Sequence, residues 1–201
     1  MREVTVHTVI SAPREQIFDF VADLSLRPAY CDHYLREYRL SRANPRGVGA
    51  AARFRLDGPL AKEWAEIEIK VCDRPKRIVE EGRVGRLGRS RLVAVYDFIP
   101  EAAGTTRVEL TTYSEPKTVI DRIKQTGASG WVRRRSRKAL RRLRDIFETN
   151  ALDDLARATI AGNDPGKAPR YGDHLPSPDG AATADRETAR PPMALPNRTL
   201  A

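Results

Sequence analysis

The sequence predicts an α+β fold in which an antiparallel sheet of about seven strands is covered by a long C-terminal amphipathic helix. Two observations carry this. From Tyr34 to Glu115, six segments rich in Val, Ile, Tyr and Phe succeed one another at Gly, Pro or Asp breaks, with no helical segment between them. Parallel neighbours would need a crossover of about a dozen residues or more between each pair, so the run reads as an antiparallel meander. After Pro116 the period changes. With residues about 100° apart, Val132, Ser136, Ala139, Leu140, Leu143, Ile146 and Phe147 share an arc of about 120°, and arginines and a lysine fill the rest.

Taken in order, residues 3–10 place Val4, Val6, Thr8 and Ile10 on one face, the period of a half-buried strand. Ser11-Ala12-Pro13 then starts a helix, since proline's fixed φ suits the first turn and Glu15 lies near the positive end of the dipole. Ile17, Phe18, Phe20, Val21 and Leu24 form its apolar face, and Pro28 is expected to end the next turn. Strands are predicted at 34–41, 49–57, 62–72, 77–84, 90–100 and 105–114. Within 62–72, Ala65, Ile67, Ile69 and Val71 alternate with Trp64, Glu66, Glu68 and Lys70, giving one dry and one mostly wet face. Ile120 and Ile123 are out of phase with the long helix, which predicts a separate helix at 117–126 and a break at Gly127-Ala128-Ser129-Gly130. The long helix should end near Asn150, because Leu152 falls on the charged side and Asp154 on the apolar one; 151–161 is expected to form its own short helix.

One domain is expected over 1–161. Residues 162–201 contain seven prolines and no apolar periodicity, which predicts a disordered tail. A body of about 150 residues buries roughly 68–70% of its unfolded surface, so Cys31 and Cys72 are not needed as a staple. No apolar stretch approaches the roughly 18 residues of a membrane span, and Met1-Arg2-Glu3-Val4 is unlike an export signal; a cytoplasmic location is the expectation. The formal net charge of +9 is local, because residues 131–148 hold eight Lys/Arg against two Asp/Glu.

Ser11-Ala12-Pro13 with the following helix to Asp23, the Gly47-Val48-Gly49-Ala50 turn, and Gly104-Thr105-Thr106-Arg107-Val108 before the last strand form a set of short motifs. Together they resemble the polyketide cyclase/dehydrase and lipid-transport-like family of the START-like (SRPBCC) superfamily. The resemblance spans about residues 1–150. It implies a helix-grip (Bet v 1-like) fold, with a curved sheet wrapped around the terminal helix and an apolar cavity between them. It further implies binding of a polyketide, lipid, quinone or similar apolar molecule, or cyclase, aromatase or dehydratase chemistry in the same cavity. Where many relatives carry a Trp after the first helix, this chain has Tyr30 followed by Tyr34 and Tyr38.

His7, His33 and His174 are widely separated, and no Cys-x-x-Cys or His-Glu-x-x-His pair accompanies them, so neither a metal nor another cofactor is expected. Gly47-Val48-Gly49 precedes a strand and lacks a third glycine, which makes it a turn and not a phosphate cradle. His33 is the acid/base candidate, as its ordinary pKa of about 6.5 suits proton transfer near neutrality; a loop histidine is the alternative. Glu80 and Glu81 point to opposite faces of one strand. An inward carboxylate, Glu80 in the candidate set, would need a partner or a proton, and Arg53, which shares a strand face with Arg55, is the candidate cation, unless all four are solvated. Tyr30, Tyr34, Trp64 and Tyr96 are the candidate cavity aromatics, with ordinary core as the alternative. Arg134, Arg137 and Arg141 on the outer helix face could meet an anionic membrane or simply water, and specific nucleic-acid binding is not expected.

Overall fold

Period-two alternation generates the sheet. The computed structural model describes residues 3–58, 62–85, 90–102, 104–115, 128–152 and 155–162. Seven strands form one antiparallel sheet: β1 (Val4–Ile10), β2 (Leu35–Leu40), β3 (Ala51–Asp57), β4 (Lys62–Asp73), β5 (Arg77–Val84), β6 (Ser90–Pro100) and β7 (Thr106–Glu115). Their order is β1-β7-β6-β5-β4-β3-β2, a meander whose last strand also pairs with the first, from Val4↔Thr112 to Ile10↔Thr106. The sheet is curved and does not close, leaving β1 and β2 as its edges. Register shifts mark two irregularities, between Arg36 and Arg39 beside β3 and between Ile69 and Val71 beside β5. Such bulges bend a strand and increase its twist. Gly82 permits the close approach of β4 and β5, since a Cβ there would collide with the Glu66 carbonyl oxygen.

Helix α1 (Arg14–Ala22) follows β1, with Pro13 at its N-cap and Glu15 in its first turn. Asp23 stops it and starts a 3-10 turn, Leu24–Leu26, by accepting hydrogen bonds from the Ser25 backbone N–H and hydroxyl. Pro28 begins a helix here and does not end one. It occupies the first turn of α2 (Arg27–Cys31), where its missing N–H would have had no helical partner. The long helix α3 spans Ala128–Glu148, so Ala128, Ser129 and Gly130 are its first turn instead of a break. The helix predicted at 117–126 lies outside the described residues, as does all of the predicted tail except Gly162.

The concave face and the helices share one core. Val4, Val6, Ile10, Ile69, Ile78, Phe98 and Val108 meet Ile17, Phe18 and Val21 of α1 and Ala139, Leu140, Leu143 and Ile146 of α3. The arc read from the sequence is therefore the buried one, with Ser136 included.

The described part of 151–161 is not helical. Residues 155–162 run back along the body instead, tied by Ala158 N–H to Ser25 O (2.8 Å) and by Leu40 N–H to Thr159 O (2.9 Å). Arg157 reaches the buried Asp23 carboxylate at 2.9 Å, beside Arg46 at 2.8 Å. Burial alone would raise the Asp23 pKa, but hydrogen bonds from Ser25 and Arg46 outweigh it and hold the carboxyl below its ordinary value. These tertiary bonds override the weak helical tendency of the segment.

Leu143 is fully buried where α3 meets the sheet. Leu143→Ala is expected to lower unfolding free energy by about 2–5 kcal/mol, read as a reduced urea midpoint with unchanged slope.

Candidate functional site

Between α3 and the concave sheet lies a cavity of about 100 Å³. Its floor is buried and consists of Arg27, Leu35, Phe54, Ile67, Glu80, Tyr96 and Leu110, while Ser136, also buried, belongs to the α3 roof. Half-buried residues, including Tyr34, Leu92, Ala94, Trp131, Val132 and Arg135, surround its open side. Strand parity explains this lining: Phe54, Ile67, Glu80, Ala94, Tyr96 and Leu110 each sit on the inward-facing positions of their strands. The walls are mostly apolar, and the polar groups converge on one spot.

That spot is a buried ion pair. Arg27 and Glu80 are each only 3% exposed. Arg27 Nη2 donates to Glu80 Oε1, and Nη1 donates to Glu80 Oε2 at 3.3 Å and to the Tyr96 hydroxyl at 2.6 Å. Nη2 also approaches the Val21 carbonyl at 3.4 Å. The guanidinium lies 5.1 Å from the Tyr96 ring centre and 5.5 Å from that of Tyr30, within cation–π range. Burial by itself would weaken the guanidinium's hold on its proton, but the Glu80 carboxylate outweighs it and keeps Arg27 charged. Burial pushes the Tyr30 and Tyr96 hydroxyls well above their ordinary pKa, so both stay neutral, and it raises the Cys31 thiol to about 12. Arg27 Nε and the Tyr30 hydroxyl are buried without a well-formed hydrogen bond.

The structure brings together part of the predicted set. Glu80 points inward, and Tyr34 and Tyr96 line the cavity. Tyr30 is buried behind Arg27 and is not a wall residue. Arg53 is not the partner of Glu80: it is exposed on the outer face, because Ala52 and Phe54 take the inward positions of β3. Trp64 is on that outer face too, 37% exposed, with the Arg53 and Arg39 guanidiniums 4.9 and 5.5 Å from its ring centre. Its inward neighbours are Ala65 and Ile67.

His33 does not line the cavity. It joins the chain after α2 to α3, with Nε2 3.2 Å from the Arg135 carbonyl oxygen and Nδ1 3.5 Å from Arg142 Nη1, while Arg142 also pairs with Asp32. These partners fit a neutral ring that donates from Nε2. Its ring meets Tyr34 edge-on, and Tyr34 in turn meets Trp131.

Arg27 and Trp131 were not singled out by sequence reading. The available signal for Arg27 was a lone cation in the otherwise apolar run Val21 to Tyr30 beside Asp23. Trp131 was hidden by the charge of the helix near whose start it lies.

The geometry makes two outcomes testable. Arg27→Met strands a buried carboxylate and should cost about 3–5 kcal/mol in urea unfolding, whereas the double change Arg27→Met/Glu80→Leu should restore much of the loss. For His33, burial, then Lys138, Arg142 and Arg135, outweigh the raising effect of the Arg135 carbonyl and hold the pKa below 6.5. The unfolded imidazole takes up protons first as pH falls. The neutral ring's contribution is therefore full above about pH 6.5 and lost as pH drops through the lower folded value, so thermal melts of His33→Gln should show a shallower acid dependence in that window.

The curved sheet gripping a terminal helix defines the START/Bet v 1 helix-grip class, and solved structures agree. A START superfamily protein from Mycobacterium smegmatis superposes with a TM-score of 0.57 at 13% identity, covering 74% of this chain and 98% of the other. Major latex-like protein 151 from Panax ginseng gives 0.57 at 12% identity over 73% and 97%. A protein from Thermus thermophilus gives 0.56 at 18% over 75% and 99%. No curated protein matches in sequence. The family model described as "Polyketide cyclase / dehydrase and lipid transport" matches residues 1–148, and the chain belongs to that family.

Proposed function

We propose that the protein binds a small apolar or aromatic molecule in the cavity beneath α3 and orients it through Arg27, Glu80 and Tyr96. The observation that carries this is the buried ion pair facing an otherwise apolar hollow. A pair so placed contributes little net stability compared with well-packed apolar side chains, whereas polar groups converging in an apolar recess are what fixes a ligand's orientation. The family's lipid-transport description supports the same reading. Cyclase or dehydratase chemistry would share the recess, with Glu80 and Tyr96 as the proton-handling groups within it. Among the described residues no three His, Cys, Asp or Glu are grouped to hold a metal, and no helix is long and apolar enough to cross a membrane.

Native mass spectrometry of freshly purified protein should show a co-purifying apolar ligand. Ala94→Phe, which fills the recess from β6, should lose it while keeping the wild-type melting curve; a ligand retained at full occupancy in that variant would overturn the proposal.

One surface observation favours an accompanying membrane contact. Arg133, Arg134, Arg137, Lys138 and Arg141 are exposed along α3, with no ion pair to a described acidic residue, whereas Arg142 and Arg144 are paired. Each basic side chain near an anionic bilayer contributes about 1 kcal/mol. Binding to phosphatidylglycerol vesicles should fall at least tenfold when Arg134, Arg137 and Arg141 become Gln, an effect of roughly 1.4 kcal/mol or more.

A further inference from the structure

The recess carries a second message, about the polar head of its ligand, which rests on the binding role proposed above. Arg27 and Glu80 neutralise one another, so the floor has no net charge to offer. A carboxylate brought in would become a second anion beside a single cation, and an ammonium a second cation beside a single anion. Either leaves a net charge in a largely apolar recess, where isolated charge is costly. The head must be neutral.

Hydrogen-bonding capacity narrows it further. A guanidinium has five N–H groups, and those on the two terminal nitrogens of Arg27 face Glu80, Tyr96 and the Val21 carbonyl. The Glu80 oxygens each accept from Arg27 and retain lone pairs. The floor thus presents unspent acceptors on Glu80, a need met by a hydroxyl, whose O–H donates. A ketone, an ether or a hydrocarbon has no O–H to give them.

Volume and walls set the body that bears this hydroxyl. About 100 Å³ is smaller than the roughly 150 Å³ apolar cavity that seats benzene, so one ring fits only by reaching into the open side. Phe54 and Tyr96 on the floor and Tyr34 and Trp131 at the open side present aromatic surfaces to it.

We infer that the recess selects a neutral hydroxyl-bearing single ring, a phenol in preference to a carboxylate or a hydrocarbon, with its hydroxyl donating to Glu80. The probes are 4-methylphenol, 4-methylbenzoate and toluene, titrated at pH 7 into the full chain. At that pH a phenol, with a pKa of about 10, stays neutral and the benzoate is ionised. Binding is read from the indole N–H resonance of Trp131 and from calorimetry. The phenol should bind about tenfold or more tighter than toluene, and the benzoate weakest of the three. Arg27→Met/Glu80→Leu, which removes the pair without stranding a charge, should bring the phenol level with toluene. Equal affinity for phenol and toluene in the wild type, or tightest binding of the benzoate, would overturn the head-group inference while leaving the apolar recess intact. A preference for the phenol that persists in the double variant would also overturn it. No binding of any probe would overturn the recess as a binding site and this inference with it.

Discussion

Leu140 and Leu143 are sealed between α3 and the concave sheet, and burying side chains of this size is worth about 1.5–3 kcal/mol each. Everything else in the molecule is arranged around that contact. Because the sheet bends at its bulges and does not close, its inner face is wider than one helix can cover. The C-terminal half of α3 fills the space with Leu143, Ile146 and the half-buried Phe147, beside Phe20. The N-terminal half brings Trp131, Val132, Arg135 and Ser136, which roof the space without filling it. One helix therefore makes both the core and the cavity, through the change in its residues along its length.

Polar interactions divide in the same way. Most ion pairs, such as Arg77–Asp97 and Arg91–Glu81, lie on exposed surface where solvent screens them, and they contribute little to stability. Asp23 and the Arg27–Glu80 pair are different in kind. Asp23 joins the end of α1 to Arg46 before β3 and to Arg157 after α3, so it fixes segments distant in the chain. Arg27 and Glu80 join α2 to the middle of the sheet, and they do so facing a hollow.

The architecture was legible because its signals are local and periodic. Strand limits from β1 to β7 and the gripping arc of α3 follow from parity and the helical period, since each buried face repeats several times. The site was legible only in part. Parity places Glu80 with Ile78 on the inside and would have placed Arg53 outside, opposite Phe54; the chemical appeal of an arginine beside a glutamate conflicts with that rule, and the rule holds. Trp64 shows the same conflict, since it alternates with Ala65 and Ile67. Arg27 sits at a junction of a 3-10 turn and a five-residue helix, where no period exists, so only tertiary packing decides that it turns inward. The path of 155–162 was likewise illegible, because it is set by Asp23 and Ser25, more than a hundred residues earlier.

That returning segment bears on how copies of the molecule meet one another. An outermost strand offers unpaired backbone groups to any similar strand in solution, the usual route to aggregation and strand exchange. On β2 the Leu40 amide is already engaged by Thr159, and the neighbouring Tyr38 carbonyl lies close to Gly162. The chain thus uses its own later residues to blunt a sticky border, which makes this end of β2 a poor template for the strand of a neighbouring copy.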